Sequence, residues 1–354
     1  MNHISYPSTE QFATLIGNIN RTYNFEGLDE NGKAIYDTSK PKPVLDFVGT
    51  VKLHGTAFYV CYNDANGIWF QSRENVITPT KDNAGSAFFG EMNKDALMEI
   101  IEQVYAKHNL GRELTVMICS EWAGKGVQKN VGISNIPKAM FIYGIKIVHG
   151  GNDDFVNYYV DYAGYRNVEK RIFNMLDFKT FNITVDFNMP QLVQNHILEL
   201  VLEVENECPV AKELIGTIEP DMSMIGEGIV FSRIVNGTRQ MFKAKGERHA
   251  GASKVKTIRK VDDAKLNLVL DFVDKITPEW RLEQMLDKTF DLMNGGHIER
   301  SKMGDYIKAV MADIIKEEMI TFQEAGLEMK DVSKYAAEEI KKYFFQREKE
   351  LLGL

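Results

Sequence analysis

Lys52 stands where a lysine is costly. Val44, Leu45, Phe47 and Val48 precede it, and Phe58, Tyr59 and Val60 follow, all strand-forming and apolar. Burying an ammonium costs several kcal/mol unless it is paired or gives up its proton. An apolar β setting disfavours the ammonium relative to the neutral amine, and the neutral amine is a nucleophile. Lys243 and Lys245 lie two apart in a strand-like run, so both point to one face. Two cations on one face repel unless an anion lies before them, and a triphosphate is such an anion. Glu121 and Glu227 each sit at an expected strand end with hydrophobic neighbours, where a poorly solvated carboxylate calls for a cation or a hydroxyl donor.

These residues need a framework, and the chain changes character once along its length. From about 44 to 260 the pattern is strand-like, with two helices expected near 92–107 and 190–206. "TAFYVCY" and "GIWFQ" flank the turn "NDANG", and "EGIVFSRIV" meets "TRQMFKAK" across an Asn-Gly turn. From about 262 the period is helical: Leu266, Val269, Leu270, Val273 and Ile276 share one face. Thr277 as N-cap and Pro278 at the first helical position predict a second helix, stopped by "NGG" at 294–296. Third and fourth helices are predicted around Ile307–Ile315 and Val332–Phe344. The expected fold is α+β, with one domain at 1–260 and a small all-helical domain at 261–354.

Composition narrows the function classes. The 354 residues are 44% hydrophobic and 26% charged, an ordinary globular balance. No apolar run is long enough to span a membrane, and the N-terminus has no signal-peptide pattern. Cys61, Cys119 and Cys208 are widely separated and read as reduced core thiols, which suits a cytoplasmic protein, or the host cytoplasm if it is phage-encoded. The net charge of −8 argues against a general polyanion-binding coat. Residues 243–260, however, carry +6, leaving −14 on the rest. Such a stripe suggests one phosphate-facing surface.

Taken singly, Lys52 reads as an edge-strand lysine, Tyr143 as a core aromatic, His54 as a turn residue, and Glu121 or Glu227 as a surface charge. Their order changes that reading. "KLHGT" (52–56), "SR" (72–73), "SEWAG" (120–124), "FIYGI" (141–145), "EGIVF" (227–231) and "FKAKG" (242–246) follow one another along the chain. They resemble motifs I, Ia, III, IIIa, IV and V of the covalent nucleotidyltransferases, which include DNA ligases, RNA ligases and capping enzymes. Histidine after "KL" and the stretch "EWAGKGVQKNV" (121–131) are most similar to the phage-type RNA ligase 2 family, which also carries a helical C-terminal domain.

That resemblance implies a nucleotidyltransferase (ATP-grasp-like ligase) domain of antiparallel sheets with flanking helices. It implies ATP as cofactor, with AMP carried covalently on Lys52, and Mg²⁺ or Mn²⁺ held by Glu227 and Glu121. Val51, Arg73, Tyr143, Lys243 and Lys245 would join Lys52 and the two glutamates in nucleotide binding, Tyr143 stacking on the base. His54, Arg73, Lys254, Lys256 and Lys260 would meet the nucleic acid. The expected partner is RNA, as nicked duplex or structured ends, and a monomer is expected. The chain departs from the family at Ala57, typically asparagine, and at Thr50, commonly arginine, which bears on strand specificity. Three other readings stay open: a ligase for DNA or RNA–DNA hybrid nicks, a capping guanylyltransferase, disfavoured by the helical tail, and a nucleic-acid-binding protein with a degenerate nucleotidyltransferase domain.

Overall fold

The computed structural model describes residues 3–29, 31–149, 157–246, 248, 258 and 260–352. Lys254 and Lys256, two of the expected nucleic-acid contacts, lie outside the described residues. Two compact units emerge. The first falls within Met1–Leu15, Leu45–Val185 and Val193–Arg259, and the second within Ile16–Val44, Asp186–Leu192 and Lys260–Leu354.

Among the described residues the first unit holds two large sheets. One has the order β1 (Glu10–Gln11), β14 (Thr238–Lys245), β13 (Gly228–Val235), β4 (Val44–Lys52) and β12 (Thr180–Asp186). The other runs β10 (Asn157–Val160), β9 (Ala139–Val148), β8 (Thr115–Ala123), β5 (Thr56–Asn63), β6 (Gly67–Gln71) and β7 (Val76–Ile77), with β11 (Ile172–Asn174) also beside β9. The pairings β13–β14, β13–β4, β5–β6, β5–β8 and β8–β9 are antiparallel, whereas β1–β14 and β9–β11 are parallel. The Asn236-Gly237 turn joins β13 to β14 with both residues at positive φ, 49° and 75°. This is the type I′ signature whose twist suits a tight hairpin.

Alternation along the strands separates core from cavity. On β5, Phe58 and Val60 turn outward onto α3 (Lys94–Lys107), meeting Leu97, Ile100, Ile101 and Val104. Tyr59 and Cys61 turn the other way, with Met117 and Cys119 of β8. In the first sheet Phe47, Phe231 and Phe242 are fully buried, their rings 5.1–5.7 Å apart. Phe12, which opens α1 (Phe12–Asn24), packs 4.8 Å from Phe242. The helix expected near 92–107 is present as α3, and a further short helix, α2 (Ser86–Met92), precedes it with Asn93 between them. A 3₁₀ turn at Pro190–Val193 precedes α4 (Gln194–Asn206), and α5 (Pro209–Leu214) follows. The cysteines Cys61, Cys119 and Cys208 are free and buried.

The second unit pairs a hairpin, β2 (Phe25–Leu28) with β3 (Ala34–Tyr36), and α-helices α6 (Asp263–Ile276), α7 (Glu279–Phe290), α8 (Met303–Glu317), α9 (Met319–Glu324) and α10 (Met329–Leu352). The helical core centres on Phe272, Leu286, Tyr306, Val310 and Phe344. One sequence expectation needs correction here. Thr277 does not open α7; its hydroxyl donates back to the Val273 carbonyl at 2.7 Å and closes α6, leaving Pro278 as the residue before α7. The protein is thus a mixed α+β molecule of antiparallel sheets and helices with a helical C-terminal region. No helix among the described residues is long and apolar enough to cross a membrane.

Candidate active site

Strand register gathers the chemistry. In the antiparallel β13–β4 and β13–β14 ladders, Gly228 stands opposite both Lys52 and Lys245. Glu227, one residue before β13, therefore enters between two lysines that are far apart in sequence. Its Oε2 accepts from Lys52 Nζ at 2.6 Å, and its Oε1 lies 2.6 Å from Lys245 Nζ. His54 Nδ1 is 3.4 Å from Glu227 Oε2. The Glu227 side chain is 3% exposed, against about a quarter for either lysine. Burial opposes its ionisation, but the bond from His54 and the pairs with Lys52 and Lys245 outweigh it, holding the carboxyl well below the usual range.

The expected apolar surroundings of Lys52 belong to its neighbours instead. Val51 and Leu53 are buried at 3% and 5%, while Lys52 faces a cavity and a carboxylate. Period-two alternation is the reason: apolar residues next in sequence point away from it. Lys52 is held as one half of an ion pair.

Gly55, the glycine of the K-x-x-G run, is fixed by a close approach. A Cβ there would lie 2.4 Å from the Trp122 carbonyl oxygen and 2.9 Å from Glu121 Cγ. That approach lets the Gly55 N–H donate to Glu121 Oε1 at 3.0 Å. Burial raises the Glu121 carboxyl to about 7, with Lys52 opposing the rise and Glu227 adding to it. Two glutamates close enough to sense each other are thus driven in opposite directions.

The cavity measures about 440 Å³ and is lined by Lys52, Val51, Arg73, Glu121, Tyr143, Lys243 and Lys245, among others. This is the size range of small-molecule sites. Odd-numbered residues of β14 supply one wall: Arg239, Met241, Lys243 and Lys245. Even-numbered Phe242 and Ala244 are buried in the core behind. Burial, then the charges of Lys245, Lys52 and Arg73, lowers the Lys243 ammonium from its ordinary range. Arg73, more than half exposed, donates to Ser8 Oγ and lies 3.4 Å from Glu74. Lys260 is exposed and belongs to the second unit.

Sequence reasoning missed part of this wall. Tyr6, Pro7, Ser8 and Thr9 of the N-terminal segment line the cavity, as do Tyr59 and Arg239. Tyr6 sits 5.6 Å from Tyr59 and 5.7 Å from Tyr143 by ring centroids. Lys146, 4% exposed, anchors the segment through the Ser5 carbonyl at 2.8 Å. Extending the alternation of Lys243 and Lys245 back along β14 reaches Arg239; nothing local marks Tyr6.

The structure thus brings together a lysine held by a buried carboxylate, further cations and an aromatic wall around one cavity. The family is shown by sequence: the model of the RNA ligase family matches residues 45–245, and the chain belongs to that family. No curated protein matches. Among solved structures, a Naegleria gruberi RNA ligase with PPi is similar at 18% identity and TM-score 0.38, covering 70% of this chain and 57% of that one. A mutant of it with ATP and Mn gives 17% identity and TM-score 0.40, covering 70% and 56%. A mutant with AMP and Mn gives 16% and 0.39, covering 70% and 57%. The present chain thus spans a little over half the length of these ligases.

Proposed function

We propose that the protein is an ATP-dependent RNA ligase that works through a lysine–AMP intermediate, of the phage-type RNA ligase 2 kind. The observation that carries the reading is Glu227 bridging Lys52 and Lys245 at 2.6 Å on either side, at the C-terminal ends of β4 and β14. In the first step Lys52 Nζ attacks the α-phosphorus of ATP; an N–P bond forms, the P–O bond to the β-phosphate breaks, and pyrophosphate leaves. The AMP then passes to the 5′-phosphate of an RNA end, forming a phosphoanhydride and freeing Lys52. A 3′-hydroxyl finally attacks that 5′-phosphate, releasing AMP and sealing the phosphodiester.

Attack requires the neutral amine, so the Lys52–Glu227 pair must open first. Lys243 and Lys245 lie beside it and repel a second positive charge. They also face the charge that develops on the transferring phosphoryl group. Glu227 and Glu121 would hold a divalent metal together with phosphate oxygens, which fits the preference of Mg²⁺ for one or two carboxylates plus substrate. Glu227 is ionised with both oxygens on lysines, and Glu121, of which Gly55 engages only Oε1, would give up its proton to join it in holding the metal. Bound there, the metal would neutralise charge on the pyrophosphate. Tyr143 offers a stacking face for adenine, and Arg73 with the 254–260 lysines would engage RNA phosphates.

Incubation with labelled ATP, GTP or NAD and Mg²⁺ or Mn²⁺, followed by a denaturing gel, tests the reading. Label retained from ATP alone, and transferred on addition of nicked duplex RNA, is expected. Label from GTP would instead indicate a capping activity. No label at all would leave a nucleic-acid-binding protein.

A further inference from the structure

Arg239 has a setting that the nucleotidyl-transfer chemistry does not use. Its guanidinium lies 6.0 Å from the Tyr143 ring centroid and 5.5 Å from that of Tyr162. One terminal nitrogen donates to Tyr6 Oη at 3.1 Å and the other to Ser232 Oγ at 3.3 Å. Its Nε is buried without a hydrogen-bond partner, and among the described residues no carboxylate pairs with it. Gly144 lies directly beneath it: a Cβ there would come 2.3 Å from a terminal guanidinium nitrogen and would displace it from this position. Aromatic faces stabilise a cation partly. They do not satisfy the N–H groups of a guanidinium, which are costly to bury unpaired. Each terminal nitrogen carries two N–H groups and donates one to a hydroxyl, and Arg239 lines the cavity, so a ligand there can supply a further acceptor.

Strand geometry says which part of the ligand. Arg239 and Lys245 are six residues apart on β14 and point to the same face, which separates their Cα atoms by roughly 20 Å at about 3.3 Å per residue. Phosphates held between Lys52, Lys243 and Lys245 lie at one end of the wall. Met241 lies between Lys243 and Arg239 along the strand, and Arg239, beside the Tyr143 ring and bonded to Tyr6, lies toward the other end. A nucleotide laid along this wall puts its base, not its phosphates, beside Arg239. We propose that Arg239, braced by Tyr6 of the N-terminal segment, is the base-contacting residue of the site and donates a hydrogen bond to a ring nitrogen of the purine. The proposal rests on the nucleotide reading given above, but not on covalent transfer.

The test couples residue to ligand atom. Affinities for ATP and for 1-deaza-, 3-deaza- and 7-deaza-ATP are measured by equilibrium titration in the Lys52→Ala background, with Arg239 intact or changed to Met. Binding is read without chemistry, so failure of covalent adenylation would overturn the ligase reading and leave this test standing. The expected result is a loss of about tenfold or more for ATP on Arg239→Met. One deaza analogue should show the same loss with Arg239 intact and no further loss in the Arg239→Met variant, because a site built to bond a ring nitrogen is left with an unpaired donor when that atom is absent. Deaza penalties that are equal with and without Arg239 would overturn the proposal. Should Arg239→Met fail to fold, the scan with Arg239 intact still decides: three analogues that all bind like ATP overturn it. Tyr6→Phe, which removes only the bracing hydroxyl, should give a smaller loss confined to the same analogue pattern.

Discussion

At the residue scale the site is a contest over two carboxylates. Lys52→Ala should abolish covalent adduct formation while leaving noncovalent ATP binding, and Lys52→Arg should fail equally because a guanidinium stays protonated. An adduct surviving on either variant would move the nucleophile elsewhere. Glu121 makes a separate prediction in pH. Burial raises it from 4.5 to about 7 in the folded protein. Below 4.5 folded and unfolded chains both carry the proton. Between 4.5 and about 7 the unfolded chain has released it and the folded one has not, so stability falls as pH rises through that window and levels off above it. Glu121→Gln keeps an oxygen for the Gly55 N–H and cannot ionise. It should therefore be more stable than the wild type at about pH 8, by at most about 3 kcal/mol, with the difference vanishing near about pH 4. Thermal melts of both proteins across this range check it, and a difference that grows toward acid would contradict the assignment.

At the element scale, position follows from strand ends. Lys52 closes β4, Glu227 precedes β13, Lys245 closes β14, and Gly55 is the last residue before β5. Gly55→Ala puts a Cβ against the Trp122 carbonyl, a backbone atom that cannot swing aside. It should shift Lys52 and Glu121 apart and reduce self-adenylation by two orders of magnitude or more, with a stability loss of about 2–4 kcal/mol. Equilibrium unfolding and single-turnover label incorporation measured together separate the two effects. Full activity in Gly55→Ala would mean that the Gly55–Glu121 contact does not organise the site.

At the scale of the whole molecule, the helical unit is stapled by ion pairs to residues far away in sequence. Asp37 is 0% exposed and pairs with Lys349 Nζ at 2.5 Å, and Arg300 pairs with Glu26 and Glu348. Burial works against the Asp37 charge, but the bonds from Lys349 and Ser39 win, and its carboxyl is lowered. Lys349→Met strands that charge and should cost about 3–5 kcal/mol, much of it recovered by adding Asp37→Asn. A double variant no more stable than the single one would show that the pair is not what matters. The unit's dependence on residues 16–44 also means that a chain ending at Arg259 would lose these partners as well as its helices. The role of the basic segment is better tested in the full chain. Replacing Lys254, Lys256 and Lys260 with alanine should flatten the dependence of log K on log salt by about 0.9 per lost phosphate contact, about 2.7 on duplex RNA. An unchanged slope would remove these lysines from the interface.

Much of the fold was legible because its signals are local. Alternation marked β5, β8, β9, β13 and β14, the Asn-Gly pair marked the turn at 236–237, and the three-to-four period marked α6 to α8 and α10. The same alternation placed Lys243 and Lys245 on one face before any contact was known, and the ordered motifs singled out Lys52, Glu121 and Glu227. Only the tertiary structure decided what those residues touch. That Lys52 is paired to a carboxylate, not set among apolar groups, depends on the register of β13 against β4 and β14, which joins positions 52, 227 and 245. That Tyr6 walls the cavity depends on a segment whose own residues carry no periodic signal and which is placed by Lys146, Gln71 and Arg239. Periodicity within one strand fixes which way a side chain points; what it points at is set by long-range packing, which no local pattern encodes.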